Sequence, residues 1–212
     1  MNIIMKDISK VIKKNIILRN INLNMIGGKI YGLIGTNGSG KTMLMRLLAG
    51  LIRPSEGEII VNGHRVEYGK KLYFDMGVII EKPEFFNDLT GMENLEMLAK
   101  LKGKIGRDEM IDAMNRVQLD PNNEKKVKEY SLGMRQRLGI AQAIMEDPEV
   151  LILDEVTNAL DEEGIKMVYE VLNEEKRKGK IIIISSHNRI DIDTLCDEIY
   201  LVKNQSLQVG DN

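Results

Sequence analysis

The chain has 212 residues, 43% hydrophobic and 29% charged, enough for one substantial globular domain; this excludes a disordered chain or two large domains. Acidic residues outnumber basic ones by 32 to 30 and no long basic block occurs, so the electrostatic footprint of a general nucleic-acid binder is missing. The one cysteine, Cys196, cannot form an internal disulfide, and no apolar run approaches the roughly 20 residues that a membrane helix needs.

The stretch Met1 to Lys10 carries Lys6 and Asp7 and lacks the apolar core of a signal peptide. Ile3 to Ile8 and Ile21 to Met25 read as short strands, and Glu58 to Val61 leads into a hairpin turn at Asn62-Gly63, which makes His64 a hairpin residue. Ile30 to Ile34 is an apolar strand that feeds a helix from about Lys41 to Ala49, closed by Gly50 and Pro54. The middle is helical. Thr90 and Glu93 form a capping box, and Leu95, Leu98 and Ala99 follow on one helix face. Further helices are predicted over Asp108 to Gln118 and Leu132 to Met145, the latter ended by Asp147-Pro148. Val150 to Leu153 and Ile181 to Ile184 are of buried parallel-strand type, separated by a helix from about Glu162 to Lys178. Cys196 reads as a small apolar residue on a helix. No repeat or flexible linker interrupts the chain, so residues 1–212 read as one α/β domain, with an antiparallel β-rich first part and a helical insertion over about 84–148.

Gly35-Thr36-Asn37-Gly38-Ser39-Gly40-Lys41-Thr42 matches the phosphate-loop pattern G-x-x-x-x-G-K-[ST] between a strand and a helix, with Met43 next along that helix. Glycines let backbone amides wrap closely round phosphates, and the helix N-terminus adds partial positive charge. Lys41 is placed to reach the β- and γ-phosphates, and the Thr42 hydroxyl to bind magnesium. Leu151 to Leu153 ends in Asp154-Glu155. Asp154 at a strand's C-terminal edge suits the same magnesium, and Glu155 suits the activation of an attacking water.

Between these two motifs lies Tyr130-Ser131-Leu132-Gly133-Met134-Arg135-Gln136-Arg137, and here the sequence resembles the ABC ATPase family, a branch of the P-loop NTPases. Ser131 and Gly133 match that family's LSGGQ-like signature, whereas Tyr130, Leu132 and Met134 depart from it. Asn158-Ala159-Leu160-Asp161 looks like its D-loop, and His187 after Ile181 to Ser186 looks like its switch histidine. The resemblance covers nearly the whole chain. It implies an ATP-binding and ATP-hydrolysing motor with magnesium, its catalytic residues Lys41, Glu155 and His187, working as a head-to-tail dimer of two such domains. In that dimer Ser131 and the Gly133 amide contact the γ-phosphate held by the other chain. It also implies a separate integral membrane permease subunit and a peripheral place on the inner face of the cell membrane.

Two departures stand out. The family places an aromatic residue near the N-terminus to stack on adenine; the best match in Lys10 to Lys14 is the aliphatic Ile12. The glutamine expected after the strand Met76 to Ile80 is replaced by Glu81, followed by Lys82-Pro83-Glu84-Phe85-Phe86. That glutamate resembles the bacitracin-resistance and lantibiotic-immunity branch of ABC exporters, which would make the cargo a peptide antibiotic or similar molecule. Phe85, Phe86 and the segment to about Lys104 would dock the permease, or belong to the core of the helical part. A soluble ABC ATPase of a cytosolic assembly, such as iron–sulfur cluster biogenesis, is the alternative.

Overall fold

The order of elements follows from where the chain switches from strand to helix periodicity. A computed structural model describes residues 1–69 and 74–210. In chain order the elements are β1 (Asn2–Ile12), β2 (Asn15–Ile26), β3 (Lys29–Ile34), α1 (Lys41–Leu48), β4 (Glu56–Val61), β5 (His64–Arg65) and β6 (Met76–Ile79). There follow α2 (Gly91–Lys102), α3 (Arg107–Arg116), a 3₁₀ turn (Val127–Glu129), α4 (Leu132–Ile144), β7 (Val150–Asp154), α5 (Glu162–Arg177), β8 (Ile181–Ser185), α6 (Arg189–Leu195), β9 (Glu198–Lys203) and β10 (Ser206–Val209).

Two sheets form. The first is antiparallel, in the order β2-β1-β4-β5. Its β4–β5 turn holds Asn62 and Gly63 at φ of 49° and 80°, the left-handed pair that a two-residue hairpin requires. The second has the order β10-β9-β3-β8-β7-β6 and is parallel apart from β10. Every residue of β7 and β8 is buried, because both faces are covered. Val150, Ile152, Ile181 and Ile183 pack with α1 and the antiparallel sheet, while Leu151, Leu153, Ile182 and Ile184 pack with α2 to α6. The alternation is the pleat itself, with successive side chains on opposite faces.

The capping box forms: Glu93 N donates to Thr90 Oγ1 at 3.2 Å and Thr90 N donates to Glu93 Oε2 at 2.7 Å. Leu95 and Ala99 are buried beneath α2, with Leu98 half-buried against the same core. After His187 the sequence reading placed only Cys196, on a helix; the structure has α6, which ends at Leu195 just before it, and adds β9 and β10. The helix among them has only seven residues, too few to show a period. A buried ion network joins the helical part to the parallel sheet. Glu175 of α5 is fully buried and accepts from Arg116 of α3 at 2.6 Å, from Lys178 at 2.8 Å, and closely from Lys180, the residue before β8. Burial opposes the charged form of Glu175, but Lys178, Lys180 and Arg116 together outweigh it and hold the carboxyl below its ordinary value.

Candidate nucleotide-binding and hydrolysis site

Four parallel strands end at one edge of the second sheet, and each is followed by a residue or loop singled out above. The glycine-rich loop follows β3, Glu81 follows β6, Asp154 closes β7, and His187 follows β8. The strand order β3-β8-β7-β6 therefore gathers residues that are up to 152 positions apart in sequence, from Gly35 to His187.

The loop is built around its glycines. Gly35 has φ of 153°, and a Cβ there would lie 2.5 Å from Val202 O. Gly40 has φ of 110°, and a Cβ there would meet Leu18 Cδ2 at 2.9 Å. Gly40 caps α1 without any side-chain hydrogen bond, so the first amides of α1 remain available to a ligand. Lys41 is buried and folds back into the loop, Nζ donating to Gly35 O at 2.7 Å and Thr36 O at 3.4 Å. Ser39 Oγ is buried inside the loop with no hydrogen-bond partner, an orphan that phosphate oxygens would satisfy.

Thr42 Oγ1 donates to Asp154 Oδ2 at 3.0 Å, and Ser185 Oγ donates to Asp154 Oδ1. A hydroxyl and a carboxylate in contact beside a phosphate loop are the hard oxygen donors that magnesium takes, so these residues fit that ion. Glu155 follows with φ of 52°, a left-handed conformation that turns the chain sharply at the sheet edge. Glu155 Oε2 accepts from Asn158 Nδ2 at 3.2 Å and from His187 N at 3.3 Å. His187 Nε2 lies 3.0 Å from Glu155 Oε1, which has no aligned hydrogen-bond donor. A cavity of about 310 Å³ brings Asn37 to Met43 together with Asp154, Glu155 and His187.

Beside it, a cavity of about 630 Å³ is walled by Ile16, Ile17, the loop from Gly35 to Ser39, and Leu201 to Gln205. Ile12 is not among its walls. It sits at the end of β1, paired with Asn15 across the hairpin and exposed, so the aliphatic wall beside the loop comes from β2 instead. Glu81, with φ of 66°, is paired with Arg46 of α1 and shares a third cavity, of about 620 Å³, with Arg135, Asp154 and Glu155.

Ser131 and Gly133 lie elsewhere. Ser131 caps α4, its Oγ accepting from Met134 N at 3.1 Å, and a Cβ on Gly133 would come within 3.1 Å of Ala159 O. Both line a separate cavity of about 770 Å³ with Leu160 and Asp161. Of the departures from the signature, Tyr130 is buried in the core under Gly91 and Leu132 is left 68% exposed beside Ser131. Sequence reasoning missed Arg46, Ser185, Ile17 and Asp191; only Asp191, an acid between two isoleucines, left a trace in the pattern. Cys196 caps α6 half-buried, its thiol pushed up to about 12 by burial, as expected of an inert apolar position.

The phosphate loop on a parallel sheet, with carboxylates at the same edge, defines a P-loop nucleotide-binding domain. The model of the ABC transporter family matches residues 18–158, and the chain belongs to that family as an ATP-binding, ATP-hydrolysing cassette. It is 45% identical over 191 residues to the uncharacterized ABC transporter ATP-binding protein YybJ of Bacillus subtilis (strain 168), covering 90% of this chain and 88% of that one. It is 41% identical to the bacitracin transport ATP-binding protein BcrA of Enterococcus faecalis, covering 92% of this chain but 64% of that protein's length. A solved structure of the ATP-binding subunit of an ABC transporter superposes with a TM-score of 0.89 at 27% identity, over 99% of this chain and 90% of that one.

Proposed function

We propose that this chain is the motor of a peptide-antibiotic exporter, hydrolysing ATP at the interface of two copies bound beneath a separate membrane permease. Residues 1–212 form one domain in this reading, with 84–148 as its helical part. The observation that carries it is the separation just described. Lys41, Thr42, Asp154, Glu155 and His187 face one cavity, while Ser131 and Gly133 face another. A head-to-tail pair brings the second set onto the ATP held by the first, and the exposed Leu132 is covered at the same time.

In each site Lys41 leaves the loop carbonyls for the β- and γ-phosphates, and the amides of Gly38 to Thr42, Met43 following them on α1, cradle the phosphate chain. Thr42 and Asp154 would hold magnesium, which when bound would supply charge neutralisation on the phosphates. Glu155 accepts a proton from the attacking water as its oxygen bonds to the γ-phosphorus and the bond to ADP breaks. His187 and the partner's Ser131 and Gly133 hydrogen-bond the γ-phosphate, so its loss releases the pair.

Three observations support the exporter role. BcrA is a bacitracin transport protein by name. Glu81, which stands where the family's glutamine is expected after β6, lines the cavity that holds Glu155. No helix among the described residues is long and apolar enough to cross a membrane; in this reading a separate permease carries the pathway and holds this chain at the membrane's inner face. Phe86 is 61% exposed and Met97 and Leu101 are exposed on α2, whereas Phe85 packs on the core; the docking surface therefore uses Phe86 and not Phe85. The test is co-purification of the wild-type chain and a Phe86→Ser variant with the membrane protein from the same source, and bacitracin or lantibiotic tolerance of cells making both. No association and no change in tolerance would overturn the exporter reading.

A further inference from the structure

Asp191 is buried in the first turn of α6 and is surrounded by four donors from three places in the fold. Thr157 Oγ1 donates to Oδ2 at 2.6 Å and Ser186 Oγ donates to the same oxygen at 2.8 Å. Tyr169 OH of α5 donates to Oδ1 at 2.6 Å, and Asn188 Nδ2 approaches Oδ1 at 3.4 Å. No cation reaches it among the described residues, so three hydroxyls and an amide do the solvating. Burial and the neighbouring carboxylate push the Tyr169 phenol above its ordinary value, as expected for a donor to a charged oxygen.

The partners identify what this carboxylate holds. Thr157 lies between Glu155 and Ala159, which are left-handed at φ of 52° and 66°. That turn aims Glu155 and presents Ala159 O to Gly133. Ser186 is the residue before His187, and its Oγ accepts from Asn188 N at 3.0 Å, shaping the bend that carries the imidazole. A single buried side chain thus fastens together the two loops that set the 3.0 Å approach of His187 Nε2 to Glu155 Oε1.

We propose that Asp191 is a positioning residue for ATP hydrolysis, clamping the Glu155–Ala159 turn to the Ser186–Asn188 bend so that Glu155 and His187 keep their mutual geometry. It does not touch the phosphate loop, so it acts on turnover and leaves nucleotide binding alone. This rests on reading Glu155 and His187 as the groups around the attacking water.

The experiment measures Mg-ATP dissociation constants and steady-state turnover for wild type, Asp191→Asn, Thr157→Val, the double variant, and Glu155→Gln. Asp191→Asn keeps size and one acceptor oxygen. It is expected to lower kcat by about ten-fold or more while ATP affinity stays within about two-fold. Thr157→Val shifts kcat in the same direction, and the double variant loses less than the product of the two single losses, since both cut the same link. If Asp191→Asn fails to fold, Thr157→Val, which deletes its bond to Asp191, and Ser186→Ala, which deletes its bonds to Asp191 and from Asn188 N, carry the same expectation. Normal turnover in all of these, with Glu155→Gln slow, overturns the clamp and leaves the site reading standing. Normal turnover in Glu155→Gln overturns the site reading and the clamp with it. Equal loss of affinity and turnover makes Asp191 a fold-stabilising residue only.

Discussion

Glu81 and Arg46 face each other across the edge of the parallel sheet, with Arg46 Nη2 at 2.7 Å from Glu81 Oε1. The pair ties the residue after β6 to the helix that follows the phosphate loop. It leaves the carboxylate on the rim shared with Asp154 and Glu155; in the proposed motor Glu81 would register the state of the nucleotide without anchoring it. Both side chains are partly exposed, so the bond adds about 1 kcal/mol or less to stability.

Glu81→Gln should therefore leave melting temperature and ATP affinity unchanged but alter the ATPase rate, or its response to the permease, when both subunits are reconstituted. Arg46→Met should shift the same observables in the same direction. If ATP binding, ATPase and transport all match wild type in both variants, Glu81 is a surface acid and the exporter reading loses one of its supports.

Lys41→Ala should abolish most ATP binding, because the β- and γ-phosphate charge loses its buried partner. Calorimetry with Mg-ATP checks this. Undiminished affinity would show that the loop holds something else.

Glu155→Gln should bind ATP normally and hydrolyse it slowly, because the amide cannot take a proton from water. With ATP retained, the variant should accumulate as a dimer by light scattering, and Ser131→Arg in the same background should return it to monomer. Rapid hydrolysis by Glu155→Gln would remove Glu155 from the reaction.

Ile17 borders both cavities beside the phosphate loop, whereas Ile12 borders neither. Ile17→Ala should weaken ATP binding by about 1 kcal/mol, a several-fold change, through lost apolar contact. Ile12→Ala should have no effect. The reverse pattern in a binding titration would restore Ile12 as the base-facing residue.

Glu175→Gln should cost up to about 3–5 kcal/mol at neutral pH, since it leaves buried Lys180 and half-buried Arg116 with only Asp147 and Glu174 as partners. The Glu175 carboxyl is held below its unfolded value of about 4.3, so its contribution is complete above that pH and is lost as pH falls through the lowered value. Chemical denaturation of wild type from pH 7 down to pH 3 should therefore lose more stability than the variant does. Parallel curves would mean that the network contributes nothing net.

Much of this was legible in the chain itself. The phosphate loop, the Asp154-Glu155 pair, the capping box at Thr90 and the buried strands β7 and β8 are local patterns, each written within a few consecutive residues whose backbone demands are specific. The strand and helix periods around them were enough to predict an α/β fold. What the linear pattern did not contain was which loops meet. Ile12 and Ile17 read alike as aliphatic residues near the N-terminus, and only the hairpin register turns Ile17 toward the loop and leaves Ile12 at the strand end. Arg46 reads as an ordinary charge on a helix, and Asp191 lies beyond the elements that the sequence reading assigned. Their roles depend on strand order, which sets β8 between β3 and β7 and so places residues 30 or more positions apart within hydrogen-bond reach, as Thr157 and Asp191 show. Sequence determined the chemistry available at each strand end. The pairing of the strands decided which of those groups act on one another, because a hydrogen bond or an ion pair depends on distances that no local pattern encodes.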